Sequence, residues 1–188
     1  MKSKMIISAV ALAVLSVSAI CAADSPEEQK AKIRKATQQT LQDLYKLQPS
    51  AREAIQKAAG YAVFKNFGTN LLVVSTASGK GIATNNQTKQ DTFMKMISGG
   101  AGLGVGVKDF RVIFVFETDK AFSQFLESGW SGSGQADAAA KAGESGGAVS
   151  GAVEVAPDTY VYQITKNGLA LQLTLQGTKY YKDDDLNK

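Results

Sequence analysis

Residues 160–176 read YVYQITKNGLALQLTLQ, and this stretch decides the fold. Tyr160 to Thr165 is an apolar, aromatic-rich run, and Asn167-Gly168 is the dipeptide that favours a type I′ reversal. Beyond it Leu169, Leu171, Leu173 and Leu175 alternate with Ala170, Gln172, Thr174 and Gln176. That alternation gives one dry face and one polar face, so the spacing predicts a hairpin whose second arm runs from Leu169 to Tyr181.

Working back, the same period of two begins at Tyr61, with glycine, serine and asparagine between short apolar runs. This is the signature of an antiparallel β domain. The predicted strands are Tyr61 to Phe67, Leu71 to Ala77, Lys80 to Thr84, Phe93 to Ile97, Ala101 to Val107 and Phe110 to Glu117. A short helix from Asp119 to Glu127 interrupts them, with Phe122, Phe125 and Leu126 inward and Gly129 as its cap. From Ser131 to Ala156 glycine and alanine dominate, which suits a linker or tightly packed glycine strands.

Before Tyr61 the period is helical. Ser25 with Glu28 three residues on forms a capping box, with Pro26 at the first helical position. Ile33, Ala36, Thr37, Leu41, Leu44 and Leu47 then fall at spacings of three and four, and Gln48-Pro49 ends the helix. A second box, Ser50 with Glu53, opens a helix through Ala54, Ile55, Ala58 and Ala59 that is expected to stop at Gly60. The fold class is therefore α+β. A curved antiparallel, barrel-like sheet is covered by two N-terminal helices and one central short helix.

Composition narrows the chemistry. The 188 residues contain no histidine and a single cysteine, Cys21. Imidazole-based triads, histidine-ligated metals, internal disulfides and CxxC pairs are thereby excluded. Lys2 and Lys4 precede an uncharged run from Met5 to Ala23, and acidic residues follow. This is the layout of a secretory signal peptide, residues 1–23, leaving residues 24–188 as a single domain exported to the periplasm. Cleavage after Ala23 puts small residues at Cys21 and Ala23. The rival processing acylates Cys21 as a lipid anchor, against which Ile20 is bulky for the preceding position. An uncleaved anchor is a third outcome, opposed by Ser8, Ser16 and Ser18. Losing residues 1–23 leaves 19 basic against 17 acidic residues, a balance of +2, and so implies no nucleic-acid partner.

No residue set carries the spacing of a catalytic or cofactor site. Gly100, Gly102, Gly104 and Gly106 share one strand face, which permits close packing and does not match a dinucleotide fingerprint. Gly79-Lys80-Gly81 lacks the Ser or Thr of a P-loop. Asp109, Glu117 and Asp137 form no pair spaced for acid–base work. Asp183-Asp184-Asp185 reads as a solvated tail rather than a calcium loop. Trp130, Tyr160, Tyr162, Tyr180 and Tyr181 suit buried packing before a membrane belt. No catalytic residue, cofactor or metal ligand is predicted. The basic half of the first helix, Lys30, Lys32, Arg34 and Lys35, has two readings: an ordinary surface helix, or a lipid-facing one in which each cation contributes about 1 kcal/mol near an anionic headgroup layer.

Several landmarks occur in order: the basic helix, Pro49-x-Ala51, Gly60-Tyr61-Ala62-Val63-Phe64, Gly79-Lys80-Gly81 and the glycine-alternating strand. Val112-Ile113-Phe114-Val115-Phe116, Gly129-Trp130, Tyr162-x-x-x-Lys166-x-Gly168-Leu169-Ala170 and Leu175-x-Gly177 follow. Together they resemble the SYLF lipid-binding domain family, also called the actin-binding family of yeast endocytic proteins, from about Ala31 to Tyr181. Leu71 to Thr76 departs from it, being bulkier than the family's glycine-rich segment. The resemblance implies a non-catalytic membrane-binding module, with phosphoinositides and actin filaments as partners in eukaryotic members. It also implies lipid contact through the basic helix at Lys30, Lys32, Arg34 and Lys35. For an exported bacterial-type member the transferable ligand is anionic phospholipid at an envelope membrane. The alternative is an envelope structural protein that binds a protein partner through a sheet edge.

Overall fold

The computed structural model describes residues 24–71, 74–101, 110–132, 149–170 and 177–188, with side chains outside 66–71, 74–77 and 99–101. Helix α1 spans Pro26–Leu47 and opens on the expected capping box: Glu28 N donates to Ser25 Oγ at 3.3 Å, and Ser25 N donates to Glu28 Oε2 at 2.8 Å. Its buried stripe is Ile33, Thr37, Thr40 and Leu44. Thr40 is tolerated there because its hydroxyl donates to the Ala36 carbonyl at 2.8 Å.

Helix α2, Ser50–Lys57, departs from expectation at both ends. The second capping box does not form. Pro49 is the N-cap, Ser50 already lies in the helix with its Oγ accepting from Gln48 Nε2, and Glu53 pairs with Lys57 at 2.6 Å. Gly60 is not its stop either. The helix ends at Lys57 because Asn86 Nδ2 donates to the carbonyls of Ile55 (2.6 Å) and Ala58 (2.8 Å), satisfying groups a C-cap glycine would otherwise serve. Gly60 begins the sheet. It is glycine because the Phe122 ring lies where a Cβ would be, 2.6 Å from Cδ2.

The strands are β1 Gly60–Leu71, β2 Val74–Asn85, β3 Asp91–Ala101 and β4 Arg111–Phe116, followed by helix α3, Asp119–Ser128. Then come β5 Trp130–Ser131, β6 Val153–Ala156, β7 Thr159–Thr165, β8 Gly168–Ala170 and β9 Thr178–Lys182. Every pairing among the described residues is antiparallel. The sheet runs β5-β9-β3-β2-β1-β4-β7-β6, with β8 on β7, and curls as a half-barrel. The architecture is the expected α+β; among the described residues no pairing joins β5 to β6.

Three expectations change in detail. Leu71 to Ala77 and Lys80 to Thr84 are not separate strands, because β2 continues through Gly79 and Gly81. Those glycines make room: a Cβ on Gly79 would lie 2.7 Å from Met96 Cγ, and one on Gly81 2.5 Å from Phe64 Cδ1. The β7–β8 reversal is not type I′. Lys166 and Asn167 keep negative φ while Gly168 takes φ +107, the form of a type I turn closed by a glycine bulge. Glu117 lies in a bend past the end of β4. The predicted strand at 102–107, the hairpin arm at 171–176, and Asp109 and Asp137 lie outside the described residues.

The two sheet faces carry different cores. On the concave face Phe64, Phe114, Phe116, Phe122, Phe125 and Tyr180 cluster with Met94 and Met96, and α3 plugs this side. Thr118 caps α3 through its Oγ1 on Ala121 N, and Gly129 ends it at φ +68 as expected. On the opposite face α1 and α2 bury Leu44, Ala51 and Ile55 against Val63, Ile113, Val115, Tyr160, Tyr162 and Ile164. Towards its start α1 buries Ile33 on Ile82, Phe93 and Leu186.

Candidate functional site: a lysine-rimmed cleft beneath the first helix

The register of three neighbouring strands builds the site. Val63 pairs with Ile82 and Ile82 with Phe93, forming an apolar row across β1, β2 and β3 on the helix-covered face. Two residues along each strand, on the same face, Lys65 is opposite Lys80 and Lys80 opposite Lys95. Tyr181 on β9 is opposite Lys95. Helix α1 covers the apolar row and leaves a cleft of about 500 Å³ beside the lysine row. Ile33, Ala36 and Ile97 supply apolar lining; Lys32, Lys65, Lys80 and Lys95 supply charge. Its volume is in the range of roughly 300–1,000 Å³ usual for ligand sites. At its mouth Ile97 is 52% exposed and Tyr181 36%.

Each lysine is held differently. Lys80 Nζ donates to Gln29 Oε1 at 2.5 Å, a neutral partner that leaves the charge in place. Lys95 pairs with Asp183 at 2.8 Å and Asp185 at 3.2 Å. The Asp183 hydrogen bond, opposed by burial and helped by Asp185, holds the Lys95 ammonium above the usual lysine range. The carboxy-terminal aspartates are therefore a solvated tail only in part, since Asp184 and Asp185 are exposed and Asp183 is not. Asp183 is 1% exposed, Leu186 is buried, and Asn187 Nδ2 donates to the Phe93 carbonyl at 2.8 Å while its Oδ1 accepts from Phe93 N at 2.9 Å.

The four basic residues predicted on α1 do not form one free face. Lys30 and Arg34, one turn apart, lie over the Phe93 ring at 5.8 and 5.1 Å; Lys30 also pairs with Glu27, and Arg34 with Asp91. Lys32 pairs with Asp24 at 2.6 Å on the cleft side. Lys35 is exposed. The apolar stripe between them is spent on the sheet. Of the aromatics, Tyr160, Tyr162 and Tyr180 are buried and Trp130 packs against Phe114 at 5.6 Å. Glu117 is exposed. Among the described residues no group of His, Cys, Asp and Glu is placed to hold a metal ion.

A cross-element pair further along also ties α1 to the sheet. Arg111 Nη1 on β4 donates to Asp43 Oδ2 at 2.5 Å, both side chains being 28% exposed. Burial raises the Asp43 carboxyl, but hydrogen bonds from Arg111 and Gln39 outweigh it and hold it below its ordinary value of 3.8. A depressed carboxylate stabilises the fold above its unfolded value and loses that contribution as pH falls through the folded value. Unfolding midpoints followed by circular dichroism from neutral pH to about 2 should therefore drop below about 3.8, and less steeply in Asp43→Asn. An identical acid limb in the variant would show that the pair does not anchor the helix.

The lysine row was not visible in the sequence, since Lys65, Lys80 and Lys95 stand 15 residues apart and only strand register brings them together. Comparison with known proteins is consistent with a binding module. The chain is 33% identical over 147 residues, 77% of its length, to a protein of Aeromonas veronii named Beta cell expansion factor A. The alignment covers 54% of that protein, so the chain spans about half the length of the curated relative it matches. Residues 97–188, comprising β3, β4, α3 and the carboxy-terminal strands, match the model of the Ysc84 family, described as Las17-binding protein actin regulator. Through that match, with the similarity to this relative beside it, residues 97–188 of the chain belong to the SYLF (Ysc84) family of binding domains.

Proposed function

We propose that this protein is a non-catalytic lipid-binding module of the periplasm, exported by residues 1–23, that docks on anionic phospholipid membranes through the first half of α1 and the adjoining cleft mouth. The observation that carries this reading is the position of the cleft. Lys32 and the lysine row border it, and exposed Ile97 and Tyr181 stand at the opening, so cationic and apolar groups face the same side. That is the chemistry of an anionic interface, where charge draws the protein in and apolar groups seat at the headgroup boundary. Lys30 and Arg34 lie over Phe93, which supports a role for them in orienting α1 and favours Lys32 and Lys35 as the headgroup contacts.

The test is vesicle flotation with the protein purified as the cell processes it, against phosphatidylglycerol-containing and pure phosphatidylcholine vesicles at low and high salt. Binding is expected only to the anionic vesicles, to weaken at high salt, and to fall several-fold in Lys32→Ala/Lys35→Ala. Equal binding to both vesicles, or none, overturns surface docking; none together with a stable envelope complex would favour a protein partner.

A further inference from the structure

The two outermost strands of the sheet, β5 and β6, do not pair among the described residues, yet Trp130 of β5 and Ala156 of β6 line one cavity of about 320 Å³. Phe125 of α3 and Phe116 at the end of β4 line it too, their rings 4.8 Å apart between centroids. The volume is at the small end of the roughly 300–1,000 Å³ usual for ligand sites, so it suits one small molecule rather than a long chain. Two opposite charges border it, Lys120 on α3 and Asp158 in the turn between β6 and β7. Among the described residues neither forms an ion pair, with the other or elsewhere. Asp158 is nonetheless held in place. It takes the left-handed φ of +57, its carbonyl accepts from Glu117 N at 2.9 Å, and its Oδ2 accepts from Thr118 Oγ1 at 3.1 Å, which leaves Oδ1 to receive a further donor.

We propose that this cavity binds one free amino acid with an apolar side chain, its ammonium on Asp158, its carboxylate on Lys120 and its side chain against Trp130 and Phe125. Opposite charges that share a cavity without joining are complementary to a ligand that carries both. A singly charged ligand would leave one of them unanswered, and a neutral apolar one would leave both. An aromatic side chain fits best, because the ring of Trp130 offers it an offset or edge-on contact. None of the groups used for membrane docking takes part, so this inference does not rest on the lipid reading.

Trp130 is the only tryptophan of the chain, so its fluorescence reads the cavity directly. Titration with phenylalanine, checked by calorimetry, should give saturable one-to-one binding. Phenethylamine, 3-phenylpropionate and glycine, each lacking one of the three recognised groups, should bind roughly tenfold more weakly, the loss expected for one charge-assisted contact or one buried ring. N-acetylphenylalaninamide stands in for the same residue within a peptide and should bind more weakly still. Asp158→Asn should weaken phenylalanine roughly tenfold and leave 3-phenylpropionate unchanged, while keeping its melting temperature, since asparagine accepts a positive φ and still offers Thr118 an acceptor. Lys120→Met should weaken phenylalanine to the same degree and leave phenethylamine unchanged. Absence of both a fluorescence change and heat with phenylalanine, analogues that bind as tightly as phenylalanine, or unchanged affinity in the two variants overturns the proposal. Vesicle flotation uses neither Asp158 nor Lys120, so its failure and the failure of this titration are distinct results.

Discussion

Phe114→Ala is expected to remove about 3–5 kcal/mol from the stability of the fold, the usual range for emptying a large aromatic from a close-packed core. Phe114 is fully buried on β4 and contacts five other rings: Phe64 at 6.0 Å, Phe116 at 6.1 Å, Phe125 at 5.2 Å, Trp130 at 5.6 Å and Tyr180 at 4.9 Å between centroids. These come from β1, β4, α3, β5 and β9, so one side chain ties the two sides of the half-barrel to the helix that plugs it. Neighbouring rings meet it largely edge-on, as in the contacts with Phe64 and Tyr180, and cannot collapse into the space without turning the strands. Domains carry about 5–15 kcal/mol in total, so the variant should show a urea midpoint lowered by a large fraction with the slope unchanged. A loss of only about 1 kcal/mol would mean that the cavity refills and that the ring cluster does not set the curl of the sheet. The effect should reach the cleft, because Phe64 adjoins Lys65 on β1 and Tyr180 adjoins Tyr181 on β9, each pair facing opposite sides of one strand.

Most of this architecture was legible because local rules and tertiary packing agree. The Ser25–Glu28 box, the helical stripe ending before Pro49, the Thr118-capped α3 and the alternation at Tyr61 each predict an element that forms. Where the reading missed, a distant group had taken over a local task. Asn86, 28 residues from Ala58, closes α2, so the helix needs no glycine stop. Gly79 and Gly81 look like punctuation and are instead interior positions of a long strand, occupied from the other side by Met96 and Phe64. The candidate site was legible only in part. Clustered cations on α1 were visible, but not that Lys30 and Arg34 would lie on Phe93, some 60 residues on in sequence. The lysine row depends on pairing register, and a shift of one residue in either β1–β2 or β2–β3 would dissolve it.

Lys95→Met is expected to cost about 3 kcal/mol at neutral pH, near the lower end of the range for breaking a buried ion pair because Lys95 itself retains partial access to water. The asymmetry decides the size. Asp183 is 1% exposed while the Lys95 side chain is 31% exposed, so removing the lysine strands the partner less able to reach solvent. Asp183 Oδ1 would keep only the backbone donor of Asp185 at 3.1 Å, and its Oδ2 already has no hydrogen-bond partner among the described residues. Adding Asp183→Asn should return part of the loss, since an amide keeps the acceptor for Asp185 N without a buried charge. The double variant should then be more stable than Lys95→Met alone, which chemical denaturation of the four members of the cycle measures. Strict additivity would show that the pair is not coupled. The pH dependence supplies a second sign: a lysine raised above 10.5 stabilises below that value and ceases to as pH rises through the folded value, so wild type should lose stability at alkaline pH more steeply than the variant. A large cost at Lys95 would also set it apart within the lysine row: its ammonium is committed to the carboxy-terminal segment that closes over Phe93, whereas Lys80 is bonded to the uncharged Gln29 amide.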